Sequence, residues 1–136
     1  MYRVIITGSR EFYDWRLLFD SVNDLGFLSS SLLLKFGDCK TGADLYADMY
    51  ACATRTLHQK FAADWDRHRK AAGPIRNHYM VDSGADLVLA FPAGRSLGTM
   101  DCCMYAHSKG LKIMFPELEL SGAPDQEWWK WAKKLA

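Results

Sequence analysis

The stretch ADLVLAFPAGRSLGT at residues 85–99 decides the fold class. It contains a continuous apolar run, Leu87–Phe91, which is typical of a strand buried on both faces of a parallel sheet. A glycine-containing loop follows, and Thr99 stands where the next helix opens. α/β proteins use this arrangement to hold phosphate or ribose, because backbone N–H groups at a helix start attract anions. Ordinary strand-to-helix turns have the same composition, so both interpretations stand at this point.

Four further short apolar runs are distributed along the chain, each bounded by Gly, Pro, Asp or Ser. They lie at Val4–Thr7, Leu32–Phe36, His58–Ala62 and Lys112–Phe115. Segments with apolar residues at helical spacing alternate with them, such as the one that contains Ile75, Tyr79 and Met80. The alternation predicts an α/β fold. We expect a Rossmann-like three-layer sandwich, with a mostly parallel sheet of about five or more strands and helices on both faces.

Length and charge limit the classes of protein to consider. The 136 residues are near the usual size of one domain, so residues 1–136 are predicted to form a single domain. The 17 Lys and Arg residues nearly balance the 16 Asp and Glu residues, and the formal net charge is +1. We therefore expect neither nucleic acid nor a membrane surface as the partner. With no apolar stretch of membrane-spanning length and no signal sequence, a cytoplasmic location is expected.

The thiols and imidazoles show no pattern typical of a metal site. The four cysteines form no Cys-x-x-Cys pair, and the histidines have no metal-ligand spacing with one another or with the cysteines. We expect reduced thiols, no metal and no cofactor. The residues concerned are Cys39, Cys52, Cys102, Cys103, His58, His68, His78 and His107.

The tail is rich in tryptophan and has the charge polarity of a helix. Acidic residues come early in it and lysines late, which predicts a helix from about 124–135 that carries Trp128, Trp129 and Trp131. Core packing is the favoured role of these rings, ahead of base stacking or partner binding. The tail also offers a surface for homo-oligomer formation.

Polar and glycine-bearing loops follow the predicted strands, and parallel topology brings such loops to one edge of the sheet. We expect ligand binding there by residues of these loops. The candidates are Gly8, Ser9, Arg10, Glu11, Gly37, Asp38, Gly42, Asp44, Asp64, Trp65, Pro92, Gly94, Arg95, Gly98 and Thr99.

Each candidate also has a purely structural interpretation. Ser9 and Arg10 suit an oxyanion but fit an ordinary strand-to-helix turn equally well. Asp38 and Asp44 suit ribose hydroxyls, yet acidic residues also cap helices or occupy first turns. Trp65 suits either base stacking or packing. The residue types alone leave these alternatives open.

Several motifs occur together in an order that resembles a known family. The chain from about Arg3 to Phe115 is similar to the small YspA-type group of the SLOG superfamily, which implies a Rossmann-like domain that binds nucleotides or nucleotide-derived ligands. The resemblance also implies that Arg76 and Asn77 bind the ligand. Such small domains are frequent in phages and mobile elements. The matching residues are Gly8-Ser9-Arg10, Gly37-Asp38, Gly42-Ala43-Asp44, Ala63-Asp64-Trp65, Ala72–Asn77 with Met80, and Gly98-Thr99.

The superfamily also includes LOG-type phosphoribohydrolases, which cleave the N-glycosidic bond of a nucleoside monophosphate. Arg76 matches their arginine, but Cys102 stands where their catalytic Glu should fall. The neighbouring acid, Asp101, is turned by ~100° on a helix. The resemblance thus gives Arg76 and Asp101 as candidate catalytic residues, with Glu11 as the alternative acid.

Three functions are consistent with the sequence and the resemblance. The first is capture of a nucleotide or nucleotide-derived signalling molecule, with phosphate near Arg76 and Gly98-Thr99. The second is N-glycoside hydrolysis of a nucleoside monophosphate. The third is single-stranded nucleic-acid binding as in DprA-type relatives, which the near-neutral charge disfavours.

Overall fold

The computed structural model describes residues 1–117 and 127–135. Strands and helices alternate along the chain, as the apolar runs predict. The strands are β1 (Tyr2–Gly8), β2 (Leu32–Gly37), β3 (Leu57–Phe61), β4 (Leu87–Phe91) and β5 (Lys112–Met114). The described helices are α1 (Trp15–Asn23), α2 (Gly42–Thr54), α3 (Trp65–His68), α4 (Ala72–Asp82), α5 (Leu97–Ser108) and α6 (Trp128–Leu135).

The five strands form one parallel sheet in the order β3-β2-β1-β4-β5. The chain runs outward from β1 to β3 and then returns to β4 on the other side of β1. This reversal opens a crevice at the carboxyl ends of β1 and β4, which is where open α/β sheets bind ligands.

Helices cover both faces of the sheet, which confirms the three-layer Rossmann-like prediction. Side chains of β1 alternate between two cores: Val4 and Ile6 pack with α1 and α2, whereas Ile5 packs with α4, α5 and α6. Every residue of Leu87–Phe91 is buried, as expected for a strand covered on both faces.

The apolar residues at helical spacing predict only part of the buried face of α4. Met80 is buried, but Ile75 and Tyr79 are 45% and 68% exposed. The inward side of this helix instead carries Asn77 and Val81. The difference arises because α4 packs mainly against α5, which selects a face that includes a polar residue.

The tryptophan-rich helix packs on its own domain. Trp128 is buried, and Trp129 and Trp131 are partly buried against the same core as α5. This agrees with core packing as the role of these rings; residues 124–126 of the predicted segment lie outside the described residues. No helix in the described ranges combines the length and the apolar character needed to cross a membrane.

Trp128→Ala is expected to lower the free energy of unfolding by ~3–5 kcal/mol, because it leaves a cavity in the core. Trp15→Ala is the matched control, since Trp15 is 43% exposed, and should cost less than about 1 kcal/mol. Urea denaturation measures both. Equal losses for the two variants would contradict the packing described for α6.

Candidate functional site

A cleft of about 370 Å³ opens at the carboxyl ends of the strands, where β1 and β4 adjoin. Its volume lies within the range of small-molecule sites. Residues of β1 and β2, of the loops after β1, β2 and β4, and of α2, α3, α4 and α5 line it: Ile6, Thr7, Gly8, Ser9, Arg10, Glu11, Gly37, Cys39, Thr41, Asp44, Trp65, Gly73, Pro74, Arg76, Asn77, Met80, Ser96, Gly98 and Thr99.

Arg76 is held rigidly in this cleft. Its side chain is 14% exposed. Nε donates a hydrogen bond to Asn77 Oδ1 at 2.9 Å, and Nη1 donates to the backbone carbonyl of Phe61 at 3.1 Å. Nη1 also lies 3.7 Å from Asp38 Oδ1. The guanidinium is thus oriented before any ligand arrives, and in the described part of the chain Nη2 is left for a ligand.

Asn77 connects Arg76 to the start of α5. The amide side chain is buried, accepts from Arg76 and donates from Nδ2 to the carbonyl of Gly98 at 3.2 Å. The two polar ends of Asn77 are therefore both satisfied. This bond fixes the distance between the guanidinium and the N-terminus of α5.

The N-terminus of α5 presents backbone amides to the cleft. Met100 N donates to Ser96 O at 2.9 Å, which is the first bond of the helix. The amides of Leu97, Gly98 and Thr99 precede it and have no partner within the helix. Ser96 adopts a left-handed backbone with φ of 54°, and its hydroxyl donates to Thr99 Oγ1 at 2.8 Å. This turn aims the positive end of the helix dipole at the cleft.

Gly37 is needed because Arg76 and Asp44 meet over its Cα. A Cβ at this position would collide with Arg76 Nη1 and with Asp44 Oδ2. Asp44 accepts a hydrogen bond from Cys39 N at 3.1 Å. The glycine at the end of β2 thus makes room for these two side chains rather than supplying a special backbone angle.

Asp44 is a buried carboxyl group with an altered pKa. Burial raises the pKa of Asp44, and this effect outweighs the attraction of Arg76 and the backbone hydrogen bonds from Cys39 and Gly37, which lower it. Asp44 lies in the first turn of α2, which agrees with the structural interpretation of this residue given from the sequence. It also lines the cleft, where it is able to accept from a ligand hydroxyl.

The loop after β1 and the residue that opens α3 form the rim. Ser9 Oγ accepts from Glu11 N at 3.0 Å, so the serine stabilises its own turn. Arg10 lies over the Trp65 ring, with Cζ 5.5 Å from the ring centroid. The Trp65 side chain is 46% exposed, so it presents an aromatic surface at the cleft mouth.

The cleft brings together eleven of the predicted binding residues and leaves six outside its lining. The six residues outside the lining cap a helix, pack against backbone, form ion pairs or lie in the loop after β4. Gly42, with φ of +70°, packs against the backbone of Ser9 and Arg10. Asp64 caps α3 by accepting from Arg67 N at 3.1 Å. Asp38 is paired with Arg76, and Arg95 is paired with Glu127 at 3.3 Å. Pro92 and Gly94 lie in the loop after β4.

Asp101, the candidate acid of the hydrolase comparison, lies between α4 and α5 outside the cleft lining. Its Oδ1 is 3.2 Å from His78 Nε2. Cys102, which stands at the expected Glu position, is fully buried, and burial raises the pKa of its thiol to about 12. Neither residue is among those that line the cleft. Glu11 and Asp44 are the carboxyl groups that line it.

Several lining residues lie in or beside the predicted loops and motifs but were not among the predicted binding residues. Cys39 and Thr41 lie in the loop after β2, with Cys39 Sγ 3.7 Å from Thr41 Oγ1. Both residues lie between two predicted binding residues, Gly37 and Gly42, and this position in the sequence could have identified them. Ser96 precedes the predicted Gly98 in the same way. Ile6, Thr7, Gly73, Pro74 and Met80 form the walls.

Comparison with known proteins agrees with this architecture. The family model described as "YspA, cpYpsA-related SLOG family" matches residues 2–68. The "Gene 61 protein" of Mycobacterium phage D29 is 39% identical over an alignment of 122 residues, gaps included; the alignment covers 84% of this chain and 95% of the phage protein. No solved structure gives a significant match. The chain belongs to the YspA, cpYpsA-related SLOG family.

The raised pKa of Asp44 predicts a pH-dependent stability. Because the folded state binds this proton more tightly than the unfolded chain, the stability from Asp44 is greatest below its unfolded pKa of about 3.9 and declines as pH rises through the folded pKa. The unfolding free energy of the wild type minus that of Asp44→Asn should therefore fall as pH rises from about 4 towards neutrality. Denaturant titrations at several pH values measure it.

Asp48→Asn is the control with the opposite sign. A hydrogen bond from Lys60 lowers the pKa of Asp48, so the wild type should gain stability over this variant as pH rises. Parallel slopes for the Asp44 and Asp48 variants would contradict the environments described for the two carboxyl groups.

Proposed function

We propose that the protein binds a nucleotide-derived small molecule in the cleft at the carboxyl edge of the sheet. One observation carries this proposal: the pre-oriented guanidinium of Arg76 and the N-terminus of α5, joined through Asn77, line the same cleft. A guanidinium beside free helix amides is suited to bind a phosphate group. The family membership and the phage relative support a nucleotide as the source of that phosphate.

The chemistry of the cleft matches the three parts of a nucleotide. Arg76 and the α5 amides suit the phosphate, the carboxyl group of Asp44 suits ribose hydroxyls, and the Trp65 ring suits the base. These groups lie within about 370 Å³, a volume suited to a small molecule. The net charge of +1 also favours a small ligand over a polyanion such as single-stranded DNA.

The absence of a carboxyl group at the Cys102 position favours capture over turnover. Cys102 is buried and its pKa is about 12, so it does not replace a catalytic acid. A binder without turnover sequesters its ligand stoichiometrically, which suits a nucleotide that serves as a signal at low concentration. The relative in a phage is consistent with sequestration of such a signal during infection.

Arg76→Gln is expected to weaken nucleotide binding at least about 30-fold, since truncating one partner of a buried, charged hydrogen bond costs ~2–5 kcal/mol. Isothermal titration calorimetry with nucleoside mono-, di- and triphosphates and cyclic nucleotides measures the effect. The matched control is Arg67→Gln, because Arg67 is exposed on α3 and lies outside the cleft lining.

Two outcomes of this titration would overturn the proposal. One is that the wild type binds no member of the panel at millimolar concentration. The other is that Arg76→Gln binds as tightly as Arg67→Gln while both variants keep the circular dichroism spectrum of the wild type.

A second candidate function is N-glycoside hydrolysis, which one observation favours: Glu11 and Asp44 line the same cleft as Arg76. A carboxyl group is needed to stabilise an oxocarbenium-like transition state. Glu11 lies at the rim, and Asp44 lies beside Arg76 with a raised pKa. In this scheme Asp101 has no part, because it contacts His78 instead.

Chromatography of the products formed from nucleoside monophosphates tests the hydrolase. If hydrolysis occurs, free base should be released by the wild type and by Asp101→Asn, and the rate should fall by at least ~10²-fold in Glu11→Gln or Asp44→Asn. Release that depends on Asp101 would contradict the site as described. No release alongside tight binding would support capture alone.

A further inference from the structure

A second cluster of chemically reactive side chains lies away from the cleft, where α2 packs beside the edge strand β3. Asp48 and Cys52 are one turn apart on the same side of α2, and His58 is the second residue of β3. One potential ligand atom from each residue lies within 4.8 Å of the other two. The cluster thus combines a carboxylate, a thiol and an imidazole, a donor set typical of zinc.

The two distances from Asp48 are close to those of a tetrahedral metal centre. Asp48 Oδ1 lies 3.6 Å from Cys52 Sγ and 3.9 Å from His58 Nε2. Ligand atoms around tetrahedral Zn²⁺ are separated by about 3.3–3.6 Å, given bonds of ~2.0–2.3 Å. The third pair, Cys52 Sγ and the His58 imidazole nitrogen, lies within 4.8 Å, so side-chain adjustments of up to about one ångström would close the site.

The imidazole already has the second contact that metal-binding histidines use. His58 Nδ1 lies 3.3 Å from the backbone carbonyl of Thr56, so an N–H at Nδ1 donates to that oxygen. The ring also stacks on Phe36, with centroids 5.7 Å apart. A backbone acceptor at one ring nitrogen orients the ring and leaves the lone pair of the other, Nε2, directed at the cluster.

The charges of the cluster are compatible with a divalent cation. Lys60 Nζ binds Asp48 Oδ2 at 2.8 Å, so this lysine occupies the carboxylate oxygen that faces away from the thiol and leaves Oδ1 for the ion. A thiolate and a carboxylate supply two negative charges, and the carboxylate would be shared between the ion at Oδ1 and the Lys60 ammonium at Oδ2. Cys52 is exposed, and the side chains of Asp48 and His58 are each 30% exposed, so a water molecule has access to a fourth position.

We propose that Asp48, Cys52 and His58 form a binding site for a zinc-class divalent cation, with a water molecule as the fourth ligand. The sequence predicts no metal site, because the single histidine comes from the neighbouring strand and the three residues match no linear spacing motif. The bound ion would link α2 to β3, the least buried strand of the sheet. It would therefore stabilise the exposed edge of the fold.

Titration of the full chain with Zn²⁺ and with Co²⁺ tests the proposal, in a buffer with a non-chelating reductant. The wild type should bind one equivalent of Zn²⁺ by calorimetry and melt at a higher temperature when loaded. With Co²⁺ it should show a thiolate-to-cobalt charge-transfer band in the near ultraviolet. Cys52→Ser should abolish the band, and Cys52→Ser and His58→Ala should each weaken Zn²⁺ binding more than ~100-fold, since even outer partners of a site affect affinity ~10–100-fold.

Cys39→Ser and His107→Ala are the matched controls, because Cys39 is a partly exposed thiol and His107 an exposed imidazole outside the cluster. Both should bind the ions as the wild type does. The proposal is overturned if the wild type binds no stoichiometric ion, or if Cys52→Ser and His58→Ala bind it unchanged. Loss of binding in Cys39→Ser with retention in Cys52→Ser would likewise overturn it.

Discussion

The pairing of β1 with β4 is the constraint on which the other features depend. Five register pairs, from Val4–Leu87 to Gly8–Phe91, join two strands that are far apart in the chain. The pairing forces the chain to return across β1, so the loops after these two strands diverge and leave a crevice between them. Ser9 N donates to Phe91 O at 3.1 Å and continues the contact to the floor of the cleft. The position of the site is thus a consequence of strand order.

Within that crevice, burial determines what the polar groups do. A guanidinium that is 14% exposed is tolerated because Asn77 and the carbonyl of Phe61 replace its water contacts. Gly37 provides the space for this arrangement, and a larger residue there would displace the arginine. The network holds the guanidinium in one orientation, so the proposed binding of a ligand would cost little conformational entropy at this side chain.

The fold was largely predictable from the sequence, because short apolar runs that turn residues bound, such as Leu87–Phe91, are typical of strands in a sheet covered on both faces. The parallel topology then predicts which loops meet, and Gly8, Arg76 and Thr99 do share one cleft. Side-chain direction was harder to predict. Asp101 lies on the expected helix, yet the packing of α4 on α5 turns it towards His78.

Contacts between a helix and a strand were the least predictable from the sequence. Asp48 and His58 are ten positions apart, and only the docking of α2 on β3 brings them together. Likewise, Ile75 and Tyr79 have helical spacing but lie on the outer side of α4. Such features depend on the rotation of a helix about its axis, which is set by the whole packed surface rather than by local sequence.

Native mass spectrometry of the wild type and Arg76→Gln, each exposed to a deproteinised cell extract, tests the central claim most directly. The account predicts that the wild type acquires a phosphate-containing adduct, identified as a nucleotide or nucleotide derivative after denaturation, and that Arg76→Gln does not. A wild type that acquires no phosphate-containing adduct, or the same adduct on both proteins, would contradict it.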